Sequence, residues 1–308
     1  MNDKPKIVAV VGPTASGKSG LALSIAQKYN GEIVVADSRQ IYKGLDIGSA
    51  KDEGDWEQVG DESHYIVDGI REHLVDLLGP NEEFTAAEFQ KKAFVAIDDI
   101  LSRGKLPILV GGTGLYIQSI VENLGFPNVA PNEEIRNRLK KKSIEDLIKT
   151  YESCDPVGAA SIDNNNKRRL IRAIEVCMVT RKPFSEMQLK NEPKYQALQL
   201  AIDHPRESLY MRIDYRARNL VYDGLIDEVY NLLEEGANVT RSAMSGIGYR
   251  EVVDYLQGEY NKEELLKRLQ QNTRRLAKRQ LSWFRRDATI KWVREGDEGL
   301  LLAEKFLK

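Results

Sequence analysis

Cysteine is nearly absent from this 308-residue chain: Cys154 and Cys177 stand too far apart for a redox pair and match no zinc-ligand spacing. Both read as structural, which suits a reducing compartment. No segment approaches the ~20 consecutive apolar residues of a bilayer-spanning helix, and no N-terminal stretch joins positive charge to an apolar run. The expected location is therefore the cytoplasm, with no membrane partner. Internal repeats and low-complexity tracts are missing too, so neither a solenoid nor a linker protein is indicated. A formal net charge of −2 excludes a polycation as a whole. With 42% apolar and 30% charged residues, the chain can bury an ample core, as one large domain plus an insertion.

Its most specific local signal is Gly12-Pro13-Thr14-Ala15-Ser16-Gly17-Lys18-Ser19. A buried strand over 6–11 precedes it and a helix over 19–29 follows, stopped by Asn30-Gly31. That is the setting of a phosphate loop. Backbone N–H groups freed by Gly12 and Gly17 can form an anion nest, the helix N-terminus adds its positive end, Lys18 brings a charge, and Ser19 can ligate Mg2+. The loop alone does not say whether the phosphate belongs to a nucleotide. Asp37-Ser38-Arg39-Gln40 ends the next strand and sets a carboxylate beside the loop; a helix-capping aspartate is the plainer alternative.

Strands over 7–11, 32–36 and 106–110, with a helix over 85–102, predict an α/β fold with a mainly parallel sheet, a P-loop NTPase-like core. The third strand runs into Gly111-Gly112-Thr113-Gly114, a second glycine turn at the strand end where open α/β sheets place ligands, unless it is a tight turn and no more. From 122 to 197 the chain turns polar and helical, broken at Pro127, Pro131 and Asp155-Pro156, and reads as an inserted helical domain. The core is then discontinuous, 1–121 and 198–308, resumed by a strand over 198–202.

Charge is unevenly spread. Residues 265–286 hold no acid but eight cations. At helical spacing Arg268, Arg275, Arg279 and Arg286 share one face, while Lys267, Arg274, Lys278 and Arg285 form the adjoining stripe. Such a face suits a polyanion better than plain solvation. Lys167-Arg168-Arg169-Leu170-Ile171-Arg172 opens a helix of the insertion and makes a second basic cluster. Two patches in two domains suggest a cleft around nucleic acid.

Five ordered stretches then resemble the tRNA dimethylallyltransferases, or tRNA isopentenyltransferases, over nearly the whole chain. They are the phosphate loop; Ala36-Asp37-Ser38-Arg39-Gln40-Ile41-Tyr42 continuing through Leu45-Asp46-Ile47-Gly48-Ser49-Ala50-Lys51; His73-Leu74-Val75-Asp76 with Pro80; Gly111-Gly112-Thr113-Gly114-Leu115-Tyr116; and Gly248-Tyr249-Arg250 followed by Ala277-Lys278-Arg279-Gln280. The resemblance implies transfer of a dimethylallyl group from its diphosphate to the exocyclic amine of an adenosine next to the tRNA anticodon. The phosphate loop then holds a leaving group, with Lys18, Mg2+ on Ser19 and a further arginine stabilising its charge, and Asp37 occupies the general-base position.

By the same resemblance, Thr14 lies by the diphosphate and Arg216 matches an active-site arginine. Thr113 and Arg136 match tRNA-contacting positions, and Ser38, Arg39 and Gln40 meet the target nucleotide. Arg168, Arg169, Leu170, Ile171 and Arg172, and the stretch Thr273 to Gln280 with Arg274, Arg275, Lys278 and Arg279, fall in tRNA-contacting regions. The expected partners are the tRNA anticodon stem-loop and dimethylallyl diphosphate, bound by a monomer. Departures are Ser19 for the usual threonine, which keeps the hydroxyl, and Asn165-Asn166-Lys167-Arg168-Arg169 for a more usual Asp-Pro-Gln-Arg pattern. The chain ends at Lys308 without the zinc-finger extension of eukaryotic members, so the bacterial form is the nearer likeness. A phosphate-loop kinase of a small metabolite, a nucleotide-switched RNA-binding regulator, and a prenyltransferase acting on free adenine nucleotides are the alternatives; the kinase gives no reason for two basic patches, the regulator predicts that Asp37→Ala changes RNA affinity rather than turnover, and the free-nucleotide enzyme needs no insertion.

Overall fold

Alternating strand and helix patterns fold here into an α/β protein, seen in a computed structural model that describes residues 4–187 and 191–308. Eight strands form one sheet: β1 (Lys6–Val11), β2 (Gly31–Val35), β3 (Asp55–Val59), β4 (Glu62–Val67), β5 (Ile70–His73), β6 (Leu106–Gly111), β7 (Gln196–Ile202) and β8 (Lys291–Val293), in the order β3-β4-β5-β2-β6-β1-β7-β8. Every pairing from β5 to β8 is parallel, and β3 and β4 add an antiparallel edge. Continuous β-branched runs are what a sheet buried on both faces demands, and β2 is buried at every position.

Two helical layers supply that burial. Helices α1 (Lys18–Lys28) and, at the far end of the chain, α13 (Gly296–Leu307) pack with Val8, Val10, Ile33 and Val35 on one face. On the other face α2 (Ala86–Ser102) and α3 (Gly114–Val121) pack with Ile7, Ala9, Val11 and Val34. Helix α2 starts in a capping box: Glu88 N–H donates to Thr85 Oγ1 (3.2 Å) and Thr85 N–H to Glu88 Oε2 (2.8 Å). The strand expected over 198–202 begins two residues earlier, because Gln196 already pairs with Lys6.

Contacts divide the chain into two units, Met1–Val121 with Lys194–Lys308, and Glu122–Pro193. Besides the sheet, the first unit holds a helical cluster of α9 (Arg206–Tyr222), α10 (Leu225–Glu234), α11 (Tyr249–Leu256) and α12 (Lys262–Phe284), closed around Ile41, Tyr42 and Leu45. The second unit contains α4 (Glu133–Lys140), α5 (Ile144–Cys154), α6 (Pro156–Ser161), α7 (Lys167–Thr180) and α8 (Phe184–Met187), with Leu139, Leu147, Tyr151, Leu170 and Ile174 at its centre. It also buries two carboxylates. Asp155 accepts from Gly158 N–H (2.7 Å), Ser185 N–H (2.8 Å) and Tyr151 Oη (2.9 Å). Glu175 accepts from Arg136 Nε (2.8 Å), Arg172 Nη1 (2.7 Å) and the Asn132 N–H (2.6 Å).

Burial works against the charge of Glu175, but those donors outweigh it and hold its carboxyl below the ordinary 4.5. Its contribution to stability is therefore full above pH 4.5 and is lost as pH falls through the lower folded value. Glu175→Ala, which leaves two arginines facing a buried gap, is expected to destabilise the second unit by roughly 3 kcal/mol. Hydrogen exchange at neutral pH checks this: protection falls across Glu122–Pro193 and stays unchanged in the β-sheet.

Candidate active site

The phosphate loop links β1 to α1 and takes the strained backbone that its glycines anticipate: φ is +141° at Gly12, +62° at Ala15 and +85° at Gly17. Its carbonyls are held from behind, Ala15 O by Arg212 Nε (2.8 Å) and Ser16 O by His204 Nε2 (2.8 Å). The Ser16 hydroxyl is buried and has no hydrogen-bond partner among the described residues, an orphaned donor inside the loop. Lys18 Nζ donates to the Pro13 carbonyl at 3.4 Å.

Asp37 lies just past the end of β2, where the Ala36 N–H still bonds Val110 O (2.6 Å). Arg39 N–H donates to Asp37 Oδ1 (2.8 Å), an Asx turn that fixes the carboxylate. Thr113 holds the same turn from the second glycine loop: its N–H donates to Ala36 O (3.3 Å), and its Oγ1 accepts the Ser38 N–H (3.2 Å). Arg39 extends to Ser242 and Ser245, and Gln40 Nε2 donates to Ala50 O (3.2 Å).

These groups meet in one cavity of about 730 Å³. Thr14, Lys18 and Ser19 line it from the phosphate loop, and Asp37, Ser38, Arg39 and Gln40 from the next strand end. Thr113 closes it from the second turn, with Arg216 from α9 and Thr273, Arg279 and Gln280 from α12. Val35, Val110, Ile213, Leu220 and Leu276 supply apolar wall. The size and mixed lining suit a small molecule with one charged end. Burial and then the Arg216 charge push the Lys18 amine down to about 8, while Asp37 and Asp52 pull it back up. Burial also lowers Arg216 against the same two carboxylates. Four charges sense one another across this site.

Sequence spacing had assigned no role to Asp52, Glu72 or Glu228. Asp52 and Glu72 line the cavity; burial and then the Asp52 charge push the Glu72 carboxyl up to about 8. Glu228, on α10, gathers the N–H groups of Asp46 (3.0 Å), Ile47 (2.6 Å) and Gly48 (3.0 Å) and the Tyr249 hydroxyl (2.8 Å), so it anchors the loop whose residues 48–53 line the cavity. A Cβ at Gly48 would lie 2.5 Å from the Tyr249 ring. No local pattern could reveal a carboxylate some 180 residues from its amides.

The basic faces come out smaller than their sequence count. On α12 Lys267, Arg268 and Arg274 pair with Glu263, Glu264 and Asp214, and Arg285, just past its end, pairs with Asp203. Arg275, Lys278, Arg279 and Arg286 are exposed and have no acidic partner among the described residues. In the second unit Arg168 and Arg169 are exposed, whereas Arg136 and Arg172 are bound to Glu175. Leu170 and Ile171, expected to face tRNA, are 0% and 7% exposed and belong to that unit's core, because the inward stripe of α7 needs them.

A family model described as IPP transferase matches residues 40–287, and one described as isopentenyl transferase matches residues 5–70. The chain is 43% identical to the tRNA dimethylallyltransferase of Heliobacterium modesticaldum over 92% of this chain and 88% of that one. It is 42% identical to that of Acetivibrio thermocellus, over 94% and 92%. Among solved structures it resembles the tRNA isopentenylpyrophosphate transferase of Bacillus halodurans, with TM-score 0.70, 36% identity and coverage of 99% and 96%. It also resembles a eukaryotic dimethylallyltransferase acting on tRNA, with TM-score 0.73, 28% identity and coverage of 91% and 69%.

An anion in the loop favours protonated Lys18, so inorganic diphosphate binding above about pH 8 should take up a proton, read by calorimetry in buffers of different ionisation enthalpy. Lys18→Met removes that uptake and weakens binding roughly 10- to 100-fold. The unfolded lysine titrates near 10.5 and the folded one near 8, so the unfolded chain holds more protons between them, and ligand-free stability rises with pH across that window. The methionine variant should consequently be more stable than the parent by about 1 kcal/mol in thermal melts at pH 7.

Proposed function

The chain belongs to the IPP transferase family, and on that premise we propose that it transfers a dimethylallyl group from dimethylallyl diphosphate to N6 of the adenosine adjacent to the anticodon of tRNA, releasing diphosphate. One observation carries the reading: a carboxylate, Asp37, lines the same cavity as the phosphate loop, Lys18 and Arg216.

Adenine's exocyclic amine is a weak nucleophile because its lone pair is delocalised into the ring. In the proposed step N6 attacks the allylic C1, the C1–O bond breaks with its electron pair going to the diphosphate, and an N6 proton passes to Asp37. Arg39 N–H occupies Oδ1 of that carboxylate, which leaves the other oxygen to receive the proton. Lys18, Arg216 and the amides of the loop face the departing charge. The apolar wall from α9 and α12 suits the prenyl tail. To reach Asp37 the adenine leaves its stack, at a cost of a few kcal/mol that tRNA contacts offset.

The donor set fits Mg2+. Ser19, Asp37 and Asp52 share the cavity, and among the described residues no group of three or more His, Cys, Asp and Glu forms a self-sufficient metal centre. Magnesium characteristically takes one or two protein oxygens and completes its shell with phosphate oxygens and water. Bound there by Ser19 and Asp52, it would neutralise part of the leaving-group charge.

Incubation with labelled dimethylallyl diphosphate, Mg2+ and bulk tRNA should place label on N6 of adenosine in nucleoside analysis. ATP turnover with no labelled tRNA would instead indicate a kinase. The exposed face of α12 should contribute phosphate contacts: neutralising Arg275 and Arg279 together weakens tRNA binding and flattens its salt dependence by about one unit of log–log slope per lost contact. An unaltered slope removes that face from the interface.

A further inference from the structure

Gln280 stands where helix α12 meets both glycine turns. Its Oε1 accepts the Thr14 N–H of the phosphate loop at 2.9 Å, and its Nε2 donates to the Gly112 carbonyl of the second turn at 3.0 Å. The two partners are 266 and 168 residues away in sequence, so this one amide joins three separate segments. Bare backbone in the second turn makes room for the helix. A Cβ on Gly112 would lie 2.4 Å from Gln280 Nε2, and one on Gly114 would lie 2.3 Å from the Trp283 indole. Ala15 of the phosphate loop packs against Leu209, Ile213 and Ala277 from the same side.

Between these glycines Thr113 holds the Asp37 turn through Ala36 and Ser38. The chain of bonds therefore runs from Thr14 through Gln280 and the Gly112–Thr113 backbone to the turn that bears the carboxylate. We infer that Gln280 is a positioning residue: it sets the register between the diphosphate cradle and the general base without touching the reacting atoms. This rests on the functional reading above, since only a reaction that uses both parts depends on their spacing. A reacting pair misplaced by about 1 Å is enough to cost on the order of 100-fold in rate.

Gln280→Leu removes both hydrogen bonds at similar volume, and Gln280→Asn keeps an amide that is one methylene too short for them. Each variant is measured for inorganic diphosphate affinity, for amide exchange at Thr14, and for KM and kcat with the prenyl donor. The expected result is a roughly tenfold weaker diphosphate Kd and donor KM, faster Thr14 exchange and a lower kcat, with tRNA Kd within twofold of the parent. A role confined to folding would lower the active fraction, and with it apparent kcat, while donor KM stayed put. Unchanged diphosphate Kd and donor KM overturn the inference, and the asparagine variant decides if leucine does not fold. Diphosphate binding is read without RNA or transfer, so an absence of transfer by the unaltered protein counts against the functional reading alone.

Discussion

Parallel pairing of β2, β6 and β1 is the constraint on which the site depends. In that register Val11 lies opposite Gly111, and the Ala36 N–H bonds Val110 O. Three strands thus end side by side, and whatever follows each of them emerges at one edge of the sheet. The phosphate loop follows β1, the carboxylate turn follows β2, and the second glycine turn follows β6. Burial of these strands on both faces holds the register, because a one-residue slip would turn every core side chain to the opposite layer. The sheet is in effect a jig for three loops.

What the sheet aligns, polar cross-links then fix. Thr113 ties the second turn to the Asp37 turn, Gln280 ties it to the phosphate loop, and Glu228 anchors the cavity wall around Gly48. The cations are kept in check in the same manner. Lys18 lies half-buried beside Arg216, a repulsion that Asp37 and Asp52 only partly relieve. Such a group stores unfavourable energy that an anion releases on binding, which is how a site trades stability for affinity.

Much of this was legible beforehand, and for local reasons. A glycine loop between a β-branched run and an amphipathic helix has few other readings, and α1, α2, β1 and β6 stand within a residue or so of where periodicity set them. The β3–β4 edge was missed because β3 reads Asp-Trp-Glu-Gln-Val and is exposed throughout, so it lacks the alternation that marks a half-buried strand. Asp203 and Asp214 pair with Arg285 and Arg274 from distant positions that no helical wheel includes, so the pairing within the basic stripe is invisible to helical spacing. Leu170 and Ile171, which the resemblance sets towards RNA, belong to the interior of the inserted unit, while Arg136 and Arg172 stay part-exposed and pair with the buried Glu175. Charge and hydrophobicity count by position along the chain, while pairing and burial count by position in space.

Transfer as proposed needs a carboxylate that does chemistry rather than capping a turn, and the most direct measurement is a single-turnover comparison of the parent with Asp37→Asn, taken alongside tRNA and diphosphate affinities. Asparagine can still accept the Arg39 N–H and preserve the Asx turn, but it cannot take up the amine proton. Transfer by the variant is expected to slow by roughly 100-fold or more with both affinities within a few-fold of the parent. Transfer at the parental rate would contradict it, and Asp37 would then be a structural residue at the end of β2.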